Sequence, residues 1–158
     1  MERLWAPWRM EFIQGAKTGN CIFCKNEDGL VLYKGKTSDV ILNKFPYNNG
    51  HLLVFPARHT GNIEDLTPQE SLDLFSLIQK SVSILNLELK PDGFNIGLNL
   101  GKAAGAGIAD HIHFHIVPRW NGDNNFMPVV AETKVMPEHL KSTCNKLKPY
   151  FDKLYRAS

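Results

Sequence analysis

No apolar run in this 158-residue chain approaches the length needed to cross a bilayer, and residues 1–12 mix charges with Trp and Pro where an export signal would be uninterruptedly apolar. The expectation is a cytoplasmic protein with no membrane partner. Cysteine is scarce: there are three, two of them in Cys21-Ile22-Phe23-Cys24, too few for a disulfide framework and suited to a reducing compartment. Net charge is small as well, because 18 Lys and Arg against 16 Asp and Glu leave +2, without the basic footprint that duplex nucleic acid requires. An anionic ligand must therefore be met by a local site. Internal repeats and low-complexity segments are missing, and only residues 121–125 read as an isolated polar loop.

A hydrophobic content of 43% in a chain of this length supports one domain with a real core, taken as 1–158. Patterning divides it into an N-terminal arm, 1–20, a core, 21–120, and a C-terminal helix at about 137–156. Alternation and turn formers place strands at 30–33, 40–43, 51–55, 94–99 and 110–117, giving an antiparallel sheet of about five strands. Thr67-Pro68-Gln69-Glu70 opens a long helix, with Thr as N-cap, Pro at the first helical position and Glu three residues after the cap. The helix is expected to reach about residue 87 and to bury a stripe of Leu72, Phe75, Ile78, Val82 and Leu85. In the final helix Leu140, Cys144, Leu147, Phe151 and Leu154 form an apolar seam, and Cys144 and His139 read as structural. The class is α+β.

Three of the six histidines fall in His111-Ile112-His113-Phe114-His115-Ile116-Val117. In a strand the three imidazoles share one face and the apolar residues the other. Neutral imidazole is nucleophilic, ligates metals and, when charged, holds phosphate oxygens near neutral pH. Just upstream, Asn99-Leu100-Gly101-Lys102-Ala103-Ala104-Gly105-Ala106-Gly107 has the glycines that let backbone N–H groups approach an anion. Cys21 and Cys24 are spaced either for two vertices of a tetrahedral Zn²⁺ site or for a redox pair, although no βαβ pattern follows them. Trp5, Trp8, Phe23, Phe45 and Trp120 are candidates to stack a base, Trp120 foremost because it follows the histidine strand.

The His-apolar-His-apolar-His-apolar-apolar run resembles the signature of the histidine triad (HIT) family. Arg3-Leu4-Trp5-Ala6-Pro7-Trp8-Arg9, Gly105-Ala106-Gly107 and Pro118-Arg119-Trp120-Asn121-Gly122-Asp123 are similar to its diadenosine tetraphosphate phosphorylase branch. The resemblance implies the histidine triad fold, a homodimer, and nucleotidyl transfer from a dinucleoside polyphosphate through a histidine-nucleotide intermediate. It makes His113 the nucleophile, its other nitrogen held by a backbone carbonyl, with His115 stabilising charge on the phosphate oxygens. The acceptor is inorganic phosphate in a phosphorylase and water in a hydrolase. Phosphoramidate cleavage, a nucleotide-binding regulatory module and a zinc-stapled scaffold are the remaining alternatives.

The resemblance also implies Asn43 on the ribose side, Asn99 on the phosphate side, and Gly105, Ala106, Gly107 and Trp120 in the binding site. Where many relatives have Gln-Ser-x-x-His, this chain reads Gly107-Ile108-Ala109-Asp110-His111, so the backbone amides of Ala106 and Gly107 are expected to replace side-chain phosphate contacts. Zinc-bearing relatives imply His59 and His111 as partners of Cys21 and Cys24, closing a structural zinc site, with His51 as a substitute ligand. No organic cofactor is implied.

Overall fold

The computed structural model describes residues 21–25, 29–123 and 136–154. The N-terminal arm with Trp5 and Trp8, residues 124–125 of the expected polar loop, and residues 155–156 of the expected C-terminal helix lie outside them. Among the described residues the order is α1 (Ile22–Lys25), β1 (Val31–Lys34), β2 (Ser38–Leu42), β3 (Leu52–Pro56), α2 (Pro68–Leu89), β4 (Gly93–Leu98), β5 (Phe114–Arg119) and α3 (Leu140–Leu154). The strands form one sheet in the order β1-β2-β3-β5-β4, antiparallel at every pairing. The expected α+β class and five-stranded antiparallel sheet are therefore present. No helix among these residues is long and apolar enough to cross a membrane.

The two faces of the sheet are used differently. On one, Leu32, Val40, Leu42, Leu52, Val54 and Ile116 pack under α2 and α3 as the main core. On the other, Phe23, Leu53 and Phe55 make a small cluster beside the histidines. Leu53 faces Ile41 on one side and His115 on the other across the ladder, which assigns His115 to this second face.

The long helix begins as its sequence predicts. Thr67 Oγ1 accepts from the Glu70 N–H, the Glu70 carboxylate accepts from the Thr67 N–H at 2.9 Å, and Pro68 fills the first turn. Glu70 also takes a two-pronged hydrogen bond from Arg58, at 2.9 and 3.0 Å, tying the helix start to the chain leaving β3. Arg58 and the Thr67 N–H together hold the Glu70 carboxyl down from an ordinary 4.5 to about 2. Because the folded value is the lower one, this contribution is complete above pH 4.5 and is lost as pH falls toward 2. Replacing Glu70 by Gln should lower the melting temperature at neutral pH. The gap to the native protein should close through that acid window, as thermal melts across pH would record.

The buried stripe of this helix is the expected one only in part: Ile78 and Leu85 are buried and Val82 packs against the core as read, but Leu72 and Phe75 do not. Leu74, Leu77, Ile78, Ser81, Ile84 and Leu85 face the sheet, whereas Leu72 and Phe75 are 65% and 61% exposed. Apolar residues on two faces give the helix two stripes with the same period, and periodicity alone does not choose between them. Ser81 belongs to the buried one because its hydroxyl donates to the Leu77 carbonyl at 2.7 Å, so it goes inside without an unsatisfied group. The seam of α3 is the expected one: Cys144, Leu147 and Phe151 are buried against β1 and α2.

The triad strand also differs from expectation, for β5 starts at Phe114 and leaves His111, Ile112 and His113 outside the ladder. The last β3 pairing is Val54 with Phe114. Beyond it the Pro56 carbonyl accepts from the His111 ring at 2.8 Å, and the Ile112 N–H goes to the Thr60 carbonyl. Both groups that a continuing ladder would use are thus committed elsewhere. The three rings still converge, but only His115 stands on the strand.

Candidate active site

Two clusters meet around Phe23, one of thiols and imidazoles and one of imidazoles alone. The Phe23 ring packs against Phe55 and lies 5.1 Å from the His111 ring and 4.8 Å from the His113 ring. It is 2% exposed, which makes it the floor between the clusters and not a stacking surface for a base.

In the first cluster, Cys21, Cys24, His59 and His111 bring one ligand atom each to within 4.8 Å of one another. Cys24 sits on the single helical turn α1, an element the sequence did not suggest, while His59 follows β3. Three separations are 3.3 Å (Cys21 Sγ to His111 Nδ1), 3.4 Å (Cys24 Sγ to His59 Nδ1) and 3.7 Å (Cys24 Sγ to His111 Nδ1). A tetrahedron with metal–sulfur bonds near 2.3 Å and metal–nitrogen bonds near 2.1 Å has edges of about 3.4–3.8 Å. These residues fit a tetrahedral S₂N₂ metal. The His111 tautomer fits as well, since Nε2–H donates to the Pro56 carbonyl and turns the Nδ1 lone pair toward the thiols. Burial pushes the His111 ring toward its neutral form, the form that ligates a cation.

His51 is not part of this cluster. It is fully buried, and its Nδ1 accepts from the Tyr47 N–H at 3.0 Å and from the Asn43 side-chain amide at 3.2 Å. Its proton therefore sits on Nε2, from which it donates to His115 Nδ1 at 3.0 Å. His115 is left with its own proton on Nε2. The sequence offered His51 as a spare metal ligand, but the fold uses it to orient the last histidine of the triad. The turn before β3 makes this possible. Gly50 has φ +72°, in the left-handed region that favours glycine, where the chain swings His51 inward.

His113, 6% exposed, donates from Nδ1 to the His111 carbonyl at 2.9 Å, which puts its lone pair on Nε2. Burial pushes its ring down from the ordinary imidazole range, so the neutral, nucleophilic form dominates at neutral pH. The His113 and His115 ring centres are 5.0 Å apart, and Tyr47 stacks on His115 at 5.7 Å. One acceptor nitrogen thus lies beside one N–H donor, as attack on phosphorus with stabilisation of a phosphoryl oxygen requires.

The other candidate residues are placed less directly. Asn43 is occupied in the turn, for its oxygen accepts from the Phe45 N–H while its nitrogen meets His51. The glycine-rich loop folds on itself: the Gly105 N–H donates to the Lys102 carbonyl and the Ala106 N–H to the Gly101 carbonyl. Ala106 is expected to offer its amide to phosphate, but that donor goes to the Gly101 carbonyl at 3.2 Å, across the short 3₁₀ turn over Lys102–Ala104 that the Gly105 N–H closes. Asn99 is half-buried, Lys102 and Gly107 exposed.

Trp120 follows β5, its N–H directed at the Asp123 carboxylate. Asp123 holds this end of the site together, accepting from Arg119 at 2.7 and 3.0 Å and from the Asn48 amide at 2.7 Å. Asn48 also donates to the Pro118 carbonyl, and its own carbonyl accepts from the His51 N–H. The turn carrying Tyr47 and His51 is therefore clipped to the strand carrying His115. Turn formers at 46–50 were legible in the sequence; this link to Asp123, 75 residues away, was not.

Residues 25–122 match the family model of the HIT domain. The chain is 39% identical over 157 residues to the AP-4-A phosphorylase of Mycobacterium tuberculosis, covering 90% of this chain and 80% of that protein. It is 37% identical over 93 residues to the asymmetrical bis(5'-nucleosyl)-tetraphosphatase of Schizosaccharomyces pombe, covering 59% of this chain and half of that protein. Among solved structures, a Zn-bound histidine triad family protein from Mycobacterium smegmatis superposes with a TM-score of 0.68 at 28% identity, over 89% of this chain and 99% of that one.

Proposed function

Since this chain belongs to the HIT domain family, we propose that it is a nucleotidyl-transferring enzyme that phosphorolyses diadenosine tetraphosphate through His113. The carrying observation is the pair of committed nitrogens: His113 Nδ1–H is spent on the His111 carbonyl, and His115 Nδ1 is spent on His51. His113 Nε2 attacks the α-phosphorus, the bond to the bridging oxygen breaks, and ATP leaves with that oxygen and its electron pair. The His111 carbonyl, accepting from Nδ1–H, stabilises the positive charge on the ring of the histidine-bound AMP. His115 Nε2–H donates to a non-bridging oxygen as charge grows there. An oxygen of inorganic phosphate then attacks the same phosphorus, the P–N bond breaks, and ADP and neutral His113 result. The likeness to the phosphorylase over most of its length supports phosphate as acceptor. The tetraphosphatase among the relatives supports the second reading, in which water accepts and AMP is released.

Assay of diadenosine tetraphosphate with and without phosphate tests this. ADP formed only when phosphate is present is the expected result. AMP makes the protein a hydrolase, and no product in either arm makes it a binding module. Asn99, Gly105, Gly107 and Trp120, which border the triad in sequence, are assigned to substrate, with the phosphate contact shifted toward the Gly107 amide. Substituting His51 by Leu removes the donor that sets the His115 proton; steady-state kinetics should show kcat down about 10–100-fold with KM little changed.

Zinc is the metal assigned to Cys21, Cys24, His59 and His111, where it supplies a structural crosslink with every position taken by protein. Keeping those thiols ligand-competent requires a reducing compartment, which supports a cytoplasmic protein. A second copy of this chain is assigned to the exposed apolar side chains Leu72 and Phe75 on α2; β4, which carries the exposed Ile96, is an edge strand with its ladder open on one side. Light scattering should find a dimer, and Phe75→Glu should shift it to the monomer.

A further inference from the structure

The face of the sheet that carries α2 has a concavity of its own, between the β1–β2 turn and the middle of that helix. Its volume of about 410 Å³ falls within the roughly 300–1,000 Å³ of small-molecule pockets. Lys36, Thr37 and Ser38 line it from the turn, and Asp73, Ser76 and Lys80 from the helix. It does not communicate with the triad through side-chain direction. Ser38 stands two residues from Val40, on the core side under α2, whereas His115 shares the opposite face with Leu53 and Ile41.

Two independent features indicate a ligand. Ser38 is 3% exposed, and its Oγ is, among the described residues, the buried side-chain polar atom that has no hydrogen-bond partner. Native proteins seldom leave such an atom alone unless an ion, a water or a ligand meets it. The second is charge. Asp73 accepts from the Thr37 hydroxyl at 2.7 Å and from the Gln69 amide at 2.8 Å, which fixes its carboxylate in the wall but leaves its negative charge, to be outweighed by the cations beside it. Lys36 and Lys80 bring two ammonium groups to the same cavity. Lys34, also at the turn, is paired across the ladder with Asp39 and is left out of this count. Tyr33 and Leu77 supply an apolar portion of the lining.

We propose that this cavity binds a small phosphorylated organic molecule. Its phosphate is held by Lys36, Lys80 and the hydroxyls of Ser38 and Ser76, and its uncharged part rests on Tyr33 and Leu77. The volume exceeds what a bare phosphate fills, and the apolar lining gives the organic portion a surface to bury. None of these residues belongs to the triad, the metal cluster or the loops beside them, so occupancy here is separable from turnover.

Titration of the isotope-labelled full chain with sn-glycerol 3-phosphate, followed by amide NMR, tests the assignment, with orthophosphate and glycerol as the other arms. Saturable shifts are expected at residues 36–38 and 73–80 with glycerol 3-phosphate, weaker ones at the same residues with orthophosphate, and none with glycerol. Lys80→Glu should weaken glycerol 3-phosphate by about tenfold or more. Ser38→Ala, which deletes an orphaned group, should leave the melting temperature unchanged or higher and still weaken binding by about threefold to tenfold. Diadenosine tetraphosphate turnover should be the same in both variants. Absence of saturable shifts at those residues, equal affinity for the two phosphates, equal shifts with glycerol, or binding unaltered in both variants would overturn the proposal. A failure here leaves the triad assay untouched, and the converse also holds.

Discussion

His113→Asn is expected to fold, to bind nucleotide and to lose turnover by about ten-thousandfold or more, the scale on which removing a covalent nucleophile acts. Asn is chosen because its amide can still donate to the His111 carbonyl while offering no basic nitrogen where Nε2 stood. The hydrogen bond that fixes the ring is thus retained in kind, and the nucleophile alone is deleted. Rapid quench with radiolabelled diadenosine tetraphosphate should trap acid-labile nucleotide on the native protein and none on the variant. Residual turnover within about a hundredfold of native would move the nucleophile off His113, since neighbouring positioning groups alone account for effects of that smaller size.

The contrast with His51 is informative, because the two substitutions act on adjacent rings by different physics. In the proposed reaction His113 supplies the electron pair that forms the bond to phosphorus. His51 only decides which nitrogen of His115 carries a proton, through a 3.0 Å contact. Loss of a proton-placing group leaves a fraction of His115 still in the productive tautomer, whereas loss of the electron pair leaves nothing. That difference separates a fall of about one or two decades from a fall of four or more.

The sequence carried most of this arrangement, and its failures share a cause. Local rules sufficed wherever neighbours in sequence are neighbours in space: the Thr67–Glu70 capping box, the five strands and the α3 seam all appear as read. What local rules could not supply were choices settled by distant groups. His111 and His113 alternate like strand residues, yet the Pro56 carbonyl and Thr60, more than 50 residues away, draw them out of the ladder. Leu72 and Phe75 repeat with helical period, but only the position of the sheet decides which of two stripes is covered. The partner of His51 was undetermined for the same reason. An isolated buried histidine reads equally as ligand or as orienter until the Tyr47 N–H and the turn at Gly50 are seen to point its other nitrogen at His115. The cluster of Cys21, Cys24, His59 and His111, in contrast, unites residues from three separate segments, and it was named in advance because a family resemblance carries long-range information that periodicity does not.

The metal cluster leads to the second large effect. Its four candidate ligands come from the turn before β1, the exit of β3 and the approach to β5, so a bound ion would crosslink three segments that are far apart in the sequence. Binding energy of a structural site is folding energy. Cys21→Ser should therefore remove zinc from the purified protein and lower its melting temperature by about 6–20 °C, taking about 3–5 kcal/mol lost and about 2–4 °C per kcal/mol for a domain of this size. Treating the native protein with 1,10-phenanthroline should bring its melt down to that of the variant, and calorimetry with elemental analysis would record both. Burial, together with the neighbouring Cys21 thiol, pushes the Cys24 thiol up from 9.0, so metal uptake at neutral pH has to expel protons. An indicator dye in weak buffer should register that release when zinc is returned to the chelated protein. Turnover measured well below the lowered melting point should remain near native, because His113 keeps its own hydrogen bond to the His111 carbonyl whether or not His111 holds an ion. Collapse of activity under those conditions, with the fold intact, would mean that the ion acts on substrate, and a chelator-insensitive melt would mean that the thiols and imidazoles do not bind zinc at all.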